Sequence, residues 1–230
     1  MRKFMEKLAA KKDMFKKVNK GTMAAVIACV LIGTLAVGSV SAYFTDGDTV
    51  TNTFTVGKIS LDLTEPDWNP DNAKDITPNQ TIKKNPQITN DGVNSEFVFM
   101  EVIVPYDNLV TANDNGTLNA AADTELYSYI VNSGWYQMSR TQNTKNKTVT
   151  YLYVYGTEAA CTELTAGSTT PAVFNTVKFA NVVEDQALEG KTLEIIVNAY
   201  GIQTSDINGG KTAPTDVCAV LENQLPSSNK

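Results

Sequence analysis

The chain has 230 residues, 42% of them hydrophobic and 8% aromatic, which is too apolar for wholesale disorder and gives room for one domain behind a leader. It holds no histidine and only three cysteines, which removes the imidazole base of Ser-His-Asp and Cys-His systems and starves a zinc hydrolase of ligands. The formal charge of −6 is uneven: eight basic and two acidic residues fall in the first 20, so the remainder carries about −12 and would repel a phosphate backbone, and no nucleic acid partner is expected.

The first element is a leader over 1–42. Residues 1–20 form a basic n-region ending at Lys20, and 22–42 read TMAAVIACVLIGTLAVGSVSA, an uncharged h-region. Its exit, SVSA, puts Val40 and Ala42 at the −3 and −1 positions that a signal peptidase reads. Cleavage there leaves Tyr43 as the mature N-terminus. The competing reading is an uncleaved anchor, because ~20 apolar residues can span a bilayer. In both readings the basic side stays cytoplasmic, the body is exported, and the membrane is met only through the leader.

From Tyr43 the apolar period is close to two. Val50, Phe54 and Val56 sit on even positions, and after Gly57 the apolar set moves to Ile59, Leu61 and Leu63, the phase change of a bulge or strand corner. Phe97–Val104 is apolar on both faces except at Glu101 and reads as a central strand. A helix is expected over Ala121–Gly134, from Leu126, Tyr129 and Ile130 at helical spacing. Thr148–Gly156 carries Val149, Tyr151, Tyr153 and Tyr155 on one face and Leu152 and Val154 on the other. Ala172–Ala180 and Lys191–Gln203 are further β-branched runs. Turns are expected at Asn90-Asp91-Gly92, Asn115-Gly116, Ala166-Gly167 and Asn208-Gly209-Gly210. A last helix is expected over Ala213–Gln224 with Thr215 as its N-cap, followed by a frayed tail, 225–230. The pattern predicts an all-β fold: an antiparallel β-sandwich of jelly-roll type over 43–230, with one or two short helices.

Few residues carry chemistry. Asp67, Asn69 and Asp71 match the D-x-N-x-D opening of a calcium loop. Asn72 replaces its turn glycine, however, and Pro78 stands where the closing Glu belongs, so the bland reading is a solvated loop. No carboxylate pair is singled out for glycoside hydrolysis. The Tyr151, Tyr153, Tyr155 stripe could serve as a stacking platform, but it reads first as half-buried sheet, and Trp68 and Trp135 read as core or edge anchors. Cys29 lies in the leader, leaving Cys161 and Cys218 as a candidate disulfide or as two buried thiols. No catalytic residue, resident metal or cofactor is expected.

Longer stretches resemble a known family. The leader runs into Ala42-Tyr43-Phe44-Thr45-Asp46 and NTFTVGKISLDLTEPDW. After these come ITPNQTIKKNPQITNDGVNSEFVFMEVIV, SGWYQ, YLYVYG, ELTAGSTTPAVFNTVKF and IIVNAYGIQT. From about Gly33 to Thr204 the chain resembles the TasA/camelysin family of exported Gram-positive proteins, processed by a dedicated type I signal peptidase. Asn108–Thr124 and the region after Ser205 fit less well. Ala199-Tyr200-Gly201 stands where the family has Ala-Tyr-Ala, a departure expected to loosen packing.

The resemblance implies a jelly-roll sandwich that builds biofilm-matrix fibres by donating its freed N-terminal strand. Here the donor would be 43–56, with Tyr43, Phe44, Val50, Phe54 and Val56 as its apolar residues. Partners would be other copies of the chain, head to tail, the signal peptidase, and an accessory fibre-anchoring protein. Metallopeptidase activity, described for some members, does not transfer without histidine. The rival readings are a monomeric surface adhesin or fibre-anchoring protein and, third, a camelysin-like secreted peptidase.

Overall fold

The computed structural model describes residues 45–49, 52–53, 60–183, 188, 190–205, 207 and 209–224. The chain divides into two units, Met1–Ala42 and Tyr43–Lys230, and every described residue belongs to the second. The leader and the tail 225–230 lie outside the described residues, as does the phase change at Gly57.

Among the described residues the strands are β1 Thr45–Thr49, β2 Asn52–Thr53, β3 Leu61–Thr64, β4 Thr81–Lys83, β5 Gln87–Asn90, β6 Glu96–Leu109, β7 Ala122–Glu125, β8 Tyr127–Ser128, β9 Trp135–Asn143, β10 Thr148–Tyr155, β11 Thr176–Phe179 and β12 Ile196–Gln203. A 3-10 turn covers Pro70–Ala73, and one helix, α1, covers Pro214–Gln224. All the strand pairings are antiparallel.

β6 organises the large sheet, and the reason is visible in its residues. Glu96 to Met100 are all buried, and beyond Met100 burial alternates, so one end of the strand has cover on both faces and the rest on one. β10 lies on one side of it (Val149 opposite Val104, Val154 opposite Phe99) and β12 on the other (Ile202 opposite Phe97). The sheet order is β2-β1-β12-β6-β10-β9, with β7 pairing the far end of β6. Two smaller sheets, β4-β11-β8 and β3-β5, stand apart from it.

Two cores follow from the alternation. On one face Val98, Met100, Val102, Tyr153, Val197 and Ala199 of the large sheet pack with Leu61, Ile82, Ile88, Val177 and Phe179 of the small sheets. On the other, Phe97, Phe99, Val154 and Ile202 pack with Val217, Cys218 and Leu221 of α1. Each fully buried side chain of this size contributes about 1.5–3 kcal/mol by leaving water.

The expected central strand and β10 are present, and so is the C-terminal helix. That helix begins at Pro214, ahead of the expected Thr215 cap; a proline in the first turn loses no hydrogen bond, since that N–H has no partner in a helix. The helix expected over Ala121–Gly134 is absent. β7 pairs β6 instead (Glu125 opposite Tyr106), Leu126 donates to Pro105 O at 2.9 Å, and β8 pairs β11 (Tyr127 opposite Phe179). Leu126 is buried, whereas Ile130 is 86% exposed, so the helical stripe never forms. The open ladder of β6 outweighs local propensity here. The runs 172–180 and 191–203 are strand only over β11 and β12, and 191–195 precede β12 without joining its ladder.

Candidate functional site

At the edge of the large sheet the first described strand meets the last. β1 lies along β12 in a five-residue antiparallel ladder: Thr45 opposite Ile202, Asp46 opposite Gly201, Gly47 opposite Tyr200, Asp48 opposite Ala199 and Thr49 opposite Asn198. β12 is anchored from its other side by β6, so the seam rests on the most buried strand of the protein. A strand held by main-chain bonds at a sheet edge is interchangeable in principle with any segment of the same register.

Beneath the seam, β12 presents a polar group to its neighbour. Asn198 lies opposite Glu101 and donates from Nδ2 to Glu101 Oε2 at 2.7 Å, and the Tyr200 hydroxyl donates to the same oxygen at 3.3 Å. Burial, and then the Glu101 charge, hold the Tyr200 hydroxyl well above the usual tyrosine range. Gly201 follows. A Cβ there would stand 2.8 Å from Leu61 Cδ1 and 2.8 Å from Glu96 Oε2, both side chains being buried. The glycine expected to loosen packing therefore does the reverse: it admits Leu61 and Glu96 against the backbone.

Two clefts adjoin the start of β12, of about 760 Å³ and about 520 Å³, sharing Ala73, Tyr127, Thr192 and Leu193. In the larger one Lys84 Nζ meets Glu65 at 2.6 and 2.7 Å, with both side chains mostly shielded. The same ammonium lies 4.9 Å from the centre of the Trp68 ring. A cation closed between a carboxylate and an aromatic face is already satisfied, so the cleft offers mainly apolar surface.

The sequence-predicted residues scatter. Val40, Ala42, Tyr43, Phe44, Val50, Phe54 and Val56 lie outside the described residues; of the donor segment, only the backbone of β1 and β2 is described. Asp67, Asn69 and Asp71 sit on an exposed loop and are locally engaged. Asn69 Oδ1 caps the 3-10 turn by accepting from Asp71 N at 2.9 Å, Asp71 Oδ1 meets Lys74 Nζ at 2.6 Å, and Asp67 N donates to Asn85 Oδ1 at 2.8 Å. Cys161 and Cys218 are free thiols in one core cluster.

Tyr153 is core, and Tyr151 and Tyr155 are half-buried and pack against the same cluster, so the stripe is packed sheet face and not an open platform. Trp135 is a core anchor whose Nε1 donates to Pro171 O at 2.8 Å. Sequence reasoning missed the Glu125, Arg140, Tyr151 cluster, in which Arg140 donates to Glu125 at 2.7 Å and Tyr151 donates to both its carboxylate oxygens. Its members come from three strands, and no spacing announces it.

The fold and this edge define an all-β protein of stacked antiparallel sheets whose first described strand closes on its last. A family model described as camelysin metallo-endopeptidase matches residues 13–187, and the chain belongs to that family, the TasA/camelysin family. The match ends before β12. No curated protein and no solved structure matches the chain. The metal that the family description implies does not fit the donors present. The sequence has no histidine, both body cysteines are buried in an apolar cluster, and among the described residues no three His, Cys, Asp or Glu converge. Zinc held for peptide hydrolysis needs three such ligands and an open position.

Proposed function

We propose that this chain is a secreted, non-enzymatic structural protein of the extracellular matrix, a jelly-roll β-sandwich freed from its leader after Ala42. Copies join head to tail when the 43–56 segment of one adds to the sheet of the next. The observation that supports this most is the β1–β12 seam, in which the first described strand contributes backbone pairing to the edge of the large sheet. If β1 leaves, β12 keeps β6 on one side and presents an open ladder on the other. A neighbour's β1 restores the same pairing, and when each copy donates to the next and accepts from the one before, the contact runs head to tail and propagates. The leader, while attached, tethers the donor at the membrane, so the signal peptidase acts as the assembly switch.

One observation favours a second reading: β1 pairs with β12 of its own chain. A chain that satisfies its own edge suits a monomeric surface adhesin or an accessory protein that anchors fibres made by a sibling. Electron microscopy of two versions separates the readings. A chain starting at Tyr43 is expected to form filaments, and one starting at Gly57 to stay monomeric. Equal behaviour of the two rejects strand donation, and a Tyr43-initiated protein that remains monomeric at high concentration supports the adhesin.

A further inference from the structure

Strand exchange leaves the two body thiols unused. Cys161 and Cys218 are 57 residues apart in the chain, yet the fold brings both into the cluster formed by Phe97, Phe99, Val154 and Ile202. Two independent features aim them there. The turn before Cys161 is closed by Thr157 N to Ala160 O at 2.9 Å and Thr162 N to Tyr155 O at 2.8 Å. Its Gly156 has φ +147, and a Cβ there would lie 2.4 Å from Ala160 O, so only glycine makes this turn. Cys161 N then donates to Thr212 O at 2.8 Å, tying the turn to the segment that enters α1. Cys218 lies one turn into α1 on its buried stripe with Pro214, Val217 and Leu221. Each cysteine residue is 8% exposed, and a charge on Cys161 would be felt at Cys218.

We propose that Cys161 and Cys218 form an intrachain disulfide that staples α1 to the large sheet. The oxidant is a disulfide, carried by a thiol oxidase or by a small molecule such as oxidised glutathione. One cysteine, as thiolate, attacks an oxidant sulfur and expels one oxidant thiolate, leaving a mixed disulfide. The second cysteine attacks the protein-side sulfur and expels the other. The protein loses two protons and two electrons, one S–S bond forms as one breaks, and the oxidant leaves as two thiols. Burial pushes both thiols up to about 12, so thiolate is scarce in the folded chain. The bond therefore forms before α1 docks, and docking shields it.

The export reading supplies an oxidising setting, but the bond itself is testable without it. The full chain, which also contains Cys29, is refolded from denaturant in a glutathione redox buffer, alkylated in denaturant without reductant, and mapped by peptide mass. The expected result is a single cross-linked peptide pair carrying Cys161 and Cys218, lighter by two hydrogens than the reduced pair, with Cys29 alkylated. Reductant should also lower the melting temperature of this protein while leaving that of Cys161→Ala/Cys218→Ala unmoved. Full alkylation of both body cysteines, pairing of either with Cys29, or dimers that vanish on reduction would each overturn the proposal. A second arm looks for the protein in the host's culture medium: if refolding gives the bond but the protein stays with the cells, export fails and the staple chemistry stands.

Discussion

Gly201 lies against Leu61: a side-chain carbon at position 201 would come within 2.8 Å of Leu61 Cδ1, although the two residues belong to different sheets. The contact sits where β1, β3 and β12 converge. Gly201→Ala should therefore force buried Leu61 and Glu96 aside and cost about 1–3 kcal/mol, the range for overpacking a filled core. Urea unfolding of Gly201→Ala, Leu61→Ala and the double variant checks this. The double variant should lose less than the two single losses combined, because the smaller side chain makes room for the added methyl.

Lys84→Met should destabilise the fold by about 2–4 kcal/mol, since it leaves Glu65 charged and largely shielded with no partner. The side chains are only 10% and 17% exposed, so added salt should change the loss little. Lys84→Met/Glu65→Leu is expected to recover part of it. A double variant no more stable than Lys84→Met would mean that the pair is not coupled as its geometry implies.

Alkaline pH should weaken the reduced protein before any gross change in net charge does. Burial pushes Cys161 and Cys218 from 9.0 to about 12, and Tyr153 from 10.0 to about 12. Below pH 9 folded and unfolded chains both keep these protons. Between the ordinary and raised values the unfolded chain releases protons that the folded chain still holds, so stability falls as pH rises. Urea midpoints from about pH 8 to about 12 should decline, and less steeply when the cysteines are joined, because only the tyrosine share remains.

Glu101→Gln removes the charge that faces Tyr200 but keeps an oxygen able to accept its hydroxyl. The Tyr200 titration, followed by ultraviolet difference against Tyr200→Phe, should move to lower pH and yet remain above the usual tyrosine value, because burial is the larger cause. An unmoved titration would place Glu101 electrostatically apart from Tyr200.

Much of this fold is legible in order of burial. β6 and β10 announce themselves because both faces, or one full face, are apolar. α1 does so because Val217, Val220 and Leu221 repeat at helical spacing before a polar end. β9 is silent beyond Trp135: at the sheet edge, Gln137 to Asn143 are mostly exposed, so nothing selects apolar residues at alternate positions. The segment of β7 reads as helix because Leu126, Tyr129 and Ile130 fall three and four apart, and only pairing with the overhanging end of β6, the strand just before it, decides otherwise. The strand character of the candidate site's first segment was legible. Its partner was not, because β12 gives no sign in its own residues of which strand it accepts.

That distance has a kinetic meaning. Thr45 meets Ile202, so the first described strand waits for the last described one, and its ladder is among the most costly of those described in chain entropy to close. Closure onto the same molecule is first-order, whereas capture by another molecule scales with how crowded the folding chains are. On the strand-donation reading, dilution would then favour solitary molecules and crowding the shared ladder.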